Sequence, residues 1–136
     1  MGKLDQRLGD ASRSGVYRVS AAPTVLEAAG EGGLDVARID AAADTLASIA
    51  RALEFPAWFG GNWDALEDCL GDLSWRRAGG AHLLLFDTFP RGDALGVLLD
   101  VLRSAAEYWA GRGRPFFAVL VDPRRELPLP DLYREA

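Results

Sequence analysis

Residues 55–73 read FPAWFGGNWDALEDCLGDL, and the rest of the chain is organised around this run. Phe55-Pro56 ends whatever helix precedes it, because a residue before proline is pushed out of the α region. Trp58 and Phe59 are adjacent bulky aromatics in a loop. Such neighbours rarely bury on the same side, so at least one is expected to be exposed; Trp58 is favoured as the exposed member and Phe59 as the partly buried one, while which of them makes the contact is left open. Gly60 and Gly61 permit positive φ and close backbone approach. Asn62 offers a side-chain oxygen to a free N–H of a first helical turn, and a helix is expected from Asn62 to Leu73.

That helix is sharply two-sided. At about 100° per residue, Trp63, Leu66, Cys69, Leu70 and Leu73 make one apolar stripe, and Asp64, Glu67, Asp68 and Asp72 make the opposite face. Asp64 and Asp68 stand four apart, where two like charges cost about 0.2–0.5 kcal/mol in an isolated helix. Asp64 recovers about 0.3–1 kcal/mol from the N-terminal dipole; Asp68 and Asp72 gain less. No Lys or Arg lies between Glu54 and Ser74 to relieve them. The negative field is kept against local stability, which suggests that it serves something outside the protein. An aromatic beside carboxylates is a common interface arrangement, with an apolar anchor and charges that steer.

Outward from this run, strands and helices alternate. Upstream, Val16 to Val19 reads as a short strand, Pro23 to Ala29 as a turn or two of helix, Leu34 to Ile39 as a half-buried or edge strand, and Asp40 to Leu53 as a helix with Leu46, Ile49, Ala50 and Leu53 inward. Downstream, Gly79-Gly80 is a turn. The runs AHLLLF (Ala81 to Phe86) and FFAVLV (Phe116 to Val121) are apolar throughout, as central parallel strands are. Between them Asp93 to Ala110 is a long helix stopped by Gly111. The pattern predicts an α/β domain: a small, mainly parallel sheet of three to four strands packed against helices in two layers. Residues 1–33 read as an N-terminal extension, with Met1 to Ser14 a mobile leader; residues 34–121 form the domain; residues 122–136 are an extended surface tail.

The bulk numbers narrow the partner. A chain of 136 residues, 49% hydrophobic and 26% charged, is one globular domain rather than a disordered one. Fifteen basic against twenty acidic residues give a net charge of −5, which opposes binding to nucleic acid or to an anionic membrane and favours a basic protein. The single cysteine, Cys69, allows no internal disulfide and suits a reducing compartment. It is expected to be a small buried hydrophobe. With no apolar leader and no membrane-length apolar run, the protein is expected to be cytoplasmic. His82, the lone histidine, begins an apolar strand and is expected to be structural. Tyr108 and Trp109 are expected to pack against the sheet or tail, and Arg76-Arg77, Arg112, Arg114 and Arg124-Arg125 to be solvated ends of elements.

The run from Phe55 to Leu73 resembles the loop and second helix of the barstar family, small acidic intracellular inhibitors of microbial ribonucleases such as barnase. The matching positions are Pro56, the aromatic pair at 58–59, Gly60, Asn62, Asp64-Ala65-Leu66 and Asp68-Cys69-Leu70, and the similarity covers about Leu34 to Val121. The resemblance implies a barstar-like two-layer α/β fold, no enzymatic activity, no cofactor, no metal, and a binding surface made of Trp58, Phe59, Gly60, Asn62, Asp64, Glu67, Asp68 and Asp72. It implies a basic secreted ribonuclease as partner, with Asp68 in the place of the substrate phosphate, Asp64 as the second charged contact, and Trp58 in the place of a tyrosine that packs on the catalytic histidine. Ser104 stands where the family has a third-helix glutamate, with Glu107 one turn later. Glu67 stands where the reference inhibitor has tryptophan.

Two other functions are compatible with the same residues. One is an immunity or interaction protein of this fold directed at another basic toxin. The other is a carboxylate or metal-dependent enzyme using Asp64, Glu67 and Asp68. Against the enzyme stand the absence of a His/Cys cluster, of GxSxG, of a P-loop and of HExxH, and the exposure expected of carboxylates on such a helix, which would leave their pKa values unsplit.

Overall fold

A computed structural model describes residues 3–76 and 80–133. Four strands, β1 (Gly15–Val19), β2 (Asp35–Asp40), β3 (His82–Thr88) and β4 (Phe116–Val121), form one sheet in the order β1-β4-β3-β2. Every neighbouring pair is parallel. The apolar runs occupy its centre: Leu83, Leu84, Leu85 and Phe86 of β3, and Phe116 to Leu120 of β4, are fully buried, as parallel strands covered on both faces must be. The α/β class, the parallel sheet and the sheet-plus-helix layering expected from the sequence are all present.

Alternation along the strands sorts side chains to two faces. Ala37, Ile39, Leu84, Phe86, Phe116, Ala118 and Leu120 face a core shared with α3 (Thr45–Ala52), α4 (Trp63–Leu70) and α5 (Asp93–Ala110). Val19, Leu83, Leu85, Phe117 and Val119 face a second core closed by α1 (Lys3–Leu8) and α2 (Ala22–Glu31). The first 31 residues therefore add an edge strand on one side and a helical cover on the other face of the sheet. Within the expected mobile leader, α1 buries Leu8 to 1% exposure against that second core. Nothing local in the sequence announces this, because a six-residue helix holds only through tertiary burial.

Three boundaries differ from expectation. The expected helix Asp40 to Leu53 is shorter, since Asp40 finishes β2 opposite Thr88 and Asp44, at φ 48°, redirects the chain before Thr45. The expected helix to Leu73 stops at Leu70; Gly71 caps it, and Leu73 sits at φ 51°. The tail is no loose surface strap. Leu127, Leu129 and Leu132 are buried, and Arg18 pairs with Asp131 both in a backbone bridge and through its side chain at 2.8 Å. Asp122 anchors its start by accepting the N–H groups of Glu126 (3.1 Å) and Leu127 (2.9 Å). Gly79 and Arg77 of the expected turn and basic cluster lie outside the described residues.

Candidate functional site

The site begins at a chain reversal. Glu54, at φ 56°, turns the backbone out of α3. The loop then closes a turn with the Phe59 N–H donating to the Pro56 carbonyl at 3.0 Å, and Gly61 takes φ 73°. Trp58 is 61% exposed, the most exposed large apolar side chain among the described residues. Phe59 is half-buried, edge-on to Phe55 with centroids 5.0 Å apart. One of the adjacent aromatics is exposed, as expected, and it is Trp58, the favoured member.

Asn62 caps α4 with its side-chain oxygen accepting the Ala65 N–H at 2.8 Å. The stripe is also as expected. Leu66, Cys69 and Leu70 are fully buried, and Trp63 is half-buried against the core. Asp64, Glu67 and Asp68 face outward. No ion pair among the described residues involves any of the three. Asp72 is exposed but lies beyond the cap, in the turn after α4, where its carboxylate accepts the Ser74 N–H at 3.3 Å. It is therefore not part of the helical face in which the periodicity placed it.

Asp68 and Glu67 form one wall of a groove of about 360 Å³ between α4 and α5; Gly71, Ser104, Ala105 and Tyr108 complete it. Ser104 thus faces the α4 carboxylates, whereas Glu107 is exposed and is not among the residues lining the groove. Tyr108 does not pack inward as expected. It is 43% exposed, with the Arg112 guanidinium 4.5 Å above its ring. Trp109 is buried, and Arg114 lies 5.9 Å from its ring centroid. A larger, mainly apolar groove of about 700 Å³ runs between α3 and the loop, with Phe59, Gly61 and Trp63 on one side and Leu46, Ala50 and Arg51 on the other.

Burial pushes the Cys69 thiol up, and the nearby charges of Asp72 and Asp68 push it further, so it is protonated and a poor nucleophile. No group of three or more His, Cys, Asp or Glu among the described residues is arranged to hold a metal ion. No helix among the described residues is long and apolar enough to cross a membrane.

The protein-family model of barstar, the barnase inhibitor, matches residues 33–121. The chain belongs to the barstar family. The match runs from the glycine before β2 to the last residue of β4, so it takes in the aromatic loop, α4 and α5. The barstar unit is the sheet strands β2, β3 and β4 with α3, α4 and α5; α1, β1, α2 and the tail lie outside the matched span. No curated protein and no solved structure matches the chain.

Around this barstar face stand residues that reading the sequence missed. Trp75 lies under the loop, edge-on to Trp58 at 6.2 Å. Arg76, expected to be solvated, has a side chain only 11% exposed and grips both oxygens of Asp35 at 2.9 and 2.8 Å. The one available signal was an aromatic-basic pair close behind a capped helix, but only the fold shows that the chain doubles back there.

Proposed function

We propose that this barstar is a cytoplasmic inhibitor of a microbial ribonuclease and blocks the enzyme's active site with α4 and the aromatic loop. The observation that carries the reading is the set of exposed carboxylates Asp64, Glu67 and Asp68, without an ion pair among the described residues, on a capped helix beside a 61% exposed Trp58. A ribonuclease active site concentrates cationic groups to hold a phosphodiester. A carboxylate on a rigid helix meets those groups at low entropic cost and offers no bond to cleave. Asp68, beside Ser104 and Tyr108, is the proposed phosphate mimic. Asp64 is the second charged contact, and Trp58 is the apolar anchor that excludes water around the charges. Phe59, Gly60 and Asn62 shape the loop and the helix start; Glu67 and, past the cap, Asp72 extend the negative field.

The test is titration of a barnase-type ribonuclease with this protein, by calorimetry at low salt and by RNA hydrolysis. Stoichiometric complex formation with loss of hydrolysis is expected. Absence of any complex sinks the proposal. A second reading keeps the same face but directs it at another basic toxin. It is favoured by Ser104, which leaves the α5 wall of the groove without the carboxylate that barstars carry there. Inhibition of a toxin from the same cell, with no effect on barnase-type enzymes, would select it.

A further inference from the structure

Trp58 is exposed, and its loop has little of its own to hold it. Among the described residues the loop 56–61 keeps a single internal backbone hydrogen bond, from Phe59 N–H to Pro56, and two glycines follow. What meets the Trp58 ring is Trp75, seventeen positions later, with planes at 87° and centroids 6.2 Å apart. The same indole meets Phe55 edge-on at 5.7 Å, and Phe55 meets Phe59. Its N–H donates to the Leu53 carbonyl at 2.9 Å, on the residue that caps α3. Trp75 is itself held by its neighbour: the Arg76 guanidinium binds both oxygens of Asp35 on β2 and reaches Glu54 at 3.0 Å. A continuous chain of contacts therefore runs from the sheet edge through Arg76 and Trp75 to the exposed ring.

We infer that Trp75 is a positioning residue for the interface: it orders the Trp58 loop before the partner arrives. The inference rests on the proposed function for its purpose, but not for its physical content. A side chain already held in its bound orientation loses less freedom on association, so the effect belongs in the lifetime of the complex rather than in its electrostatically steered formation. Phe59 and Trp58 are then separate in role. Phe59 ties the loop to the core through Phe55, and Trp58, backed by Trp75, is presented outward.

The experiment has two arms on the full chain. In the free protein, amide hydrogen exchange is followed for Trp75→Leu and Trp75→Phe. Trp75→Leu is expected to speed exchange at the Phe59 amide about tenfold or more while the β4 amides of Phe117 and Val119 keep their rates, since local opening is separable from global unfolding; Trp75→Phe, which retains a ring edge, recovers most of the protection. An unchanged Phe59 rate, or an equal rise across β4, overturns the inference. Should Trp75→Leu not fold, nuclear Overhauser contacts between the Trp58 and Trp75 rings in the unmodified protein decide the matter, and their absence overturns it. In the complex with a barnase-type ribonuclease, Trp75→Leu is expected to raise the off-rate about tenfold, and to raise it no further when Trp58 is already Ala. Additive effects overturn the inference. Failure of the unmodified protein to bind defeats the proposed function alone, because the exchange arm still reads the positioning.

Discussion

The Trp109 indole N–H donates to the carbonyl of Leu70 across 2.8 Å of buried interior. Leu70 is the last residue of α4, where carbonyls lack intrahelical partners. The bond satisfies one of them from α5 and fixes the spacing of the two helices. Asp68 of the same helix lines the groove between the two with Ser104 and Tyr108. A buried donor thus ties together the two helices that form the groove.

Asp68→Ala is expected to weaken the ribonuclease complex more than any other single change on α4, by about 2 kcal/mol or more, a figure general to interface hot spots, those of this family's own complex among them. Asp64→Ala should cost less. Calorimetric dissociation constants for the two variants measure this, and an Asp68→Ala complex as tight as the unmodified one would remove the phosphate-mimic role.

Association should depend on salt. On the proposed function the exposed carboxylates of α4 steer a basic partner, and the screening length falls from about 10 Å at 0.1 M to about 3 Å at 1 M. Stopped-flow on-rates are expected to drop about tenfold or more over that range, with little change in off-rate. A flat on-rate would count against α4 as the steering face.

Asn62→Ala removes the cap that accepts the Ala65 N–H. The expected loss is about 1 kcal/mol of folding stability, within the 0.5–2 kcal/mol range of such caps, read from urea unfolding. With only eight residues in α4, fraying should also speed amide exchange at Leu66.

Stability should decline on mild acidification, and His82 should be the cause. Its ring is buried, which holds its pKa below the ordinary value; Asp35 pulls the other way, and Arg76 and Arg114 add to the lowering. Nδ1 lies 3.3 Å from Asp35 Oδ2 without forming a hydrogen bond. Between the lowered folded pKa and the unfolded value near 6.5, the unfolded chain binds the extra proton, so stability rises with pH and is lost as pH falls below about 6.5. The slope cannot exceed about 1.4 kcal/mol per pH unit for one proton. Burial raises the Asp35 carboxyl, but the hydrogen bonds and charge of Arg76, with a contribution from His82, outweigh it and leave it lowered; its contribution is lost only at still lower pH, below about 3.9. Urea unfolding from pH 7.5 to 5 should show the slope, and His82→Gln should flatten it. An unaltered slope in that variant would assign the effect elsewhere.

Leu132→Ala tests whether the tail belongs to the core. Leu132 is fully buried with Leu8, Phe117 and Val119, and such truncations cost about 2–5 kcal/mol. A loss under about 0.5 kcal/mol would mean the tail is only draped on the surface.

Much of this barstar was legible in its residues alone because the relevant signals are local. Alternating elements, the two apolar strands, the stop at Gly111, the Asn62 cap and the opposed faces of α4 all follow from periodicity and from backbone preferences within a few residues. The adjacency of Trp58 and Phe59 likewise required one of them to be exposed, and the fold decided that it is Trp58. The end of α4 at Gly71 was legible in principle, but the apolar stripe continued to Leu73 and masked it.

What no local signal carried was the partner of each group across the fold. Leu8 and Leu132 are lone apolar residues in polar segments, and only the uncovered face of the sheet makes them core. Arg76 reads as a solvated charge until β2 brings Asp35 beside it, and Tyr108 reads as packing until α5 turns it to the groove. Trp75 has no role until the chain doubles back under Trp58. By itself the sequence determined which surfaces are apolar and which are charged, since that depends on spacing of about four residues or fewer. The tertiary structure alone decided what those surfaces touch, because contacts between distant segments depend on how the sheet closes and on which groups it leaves unpaired.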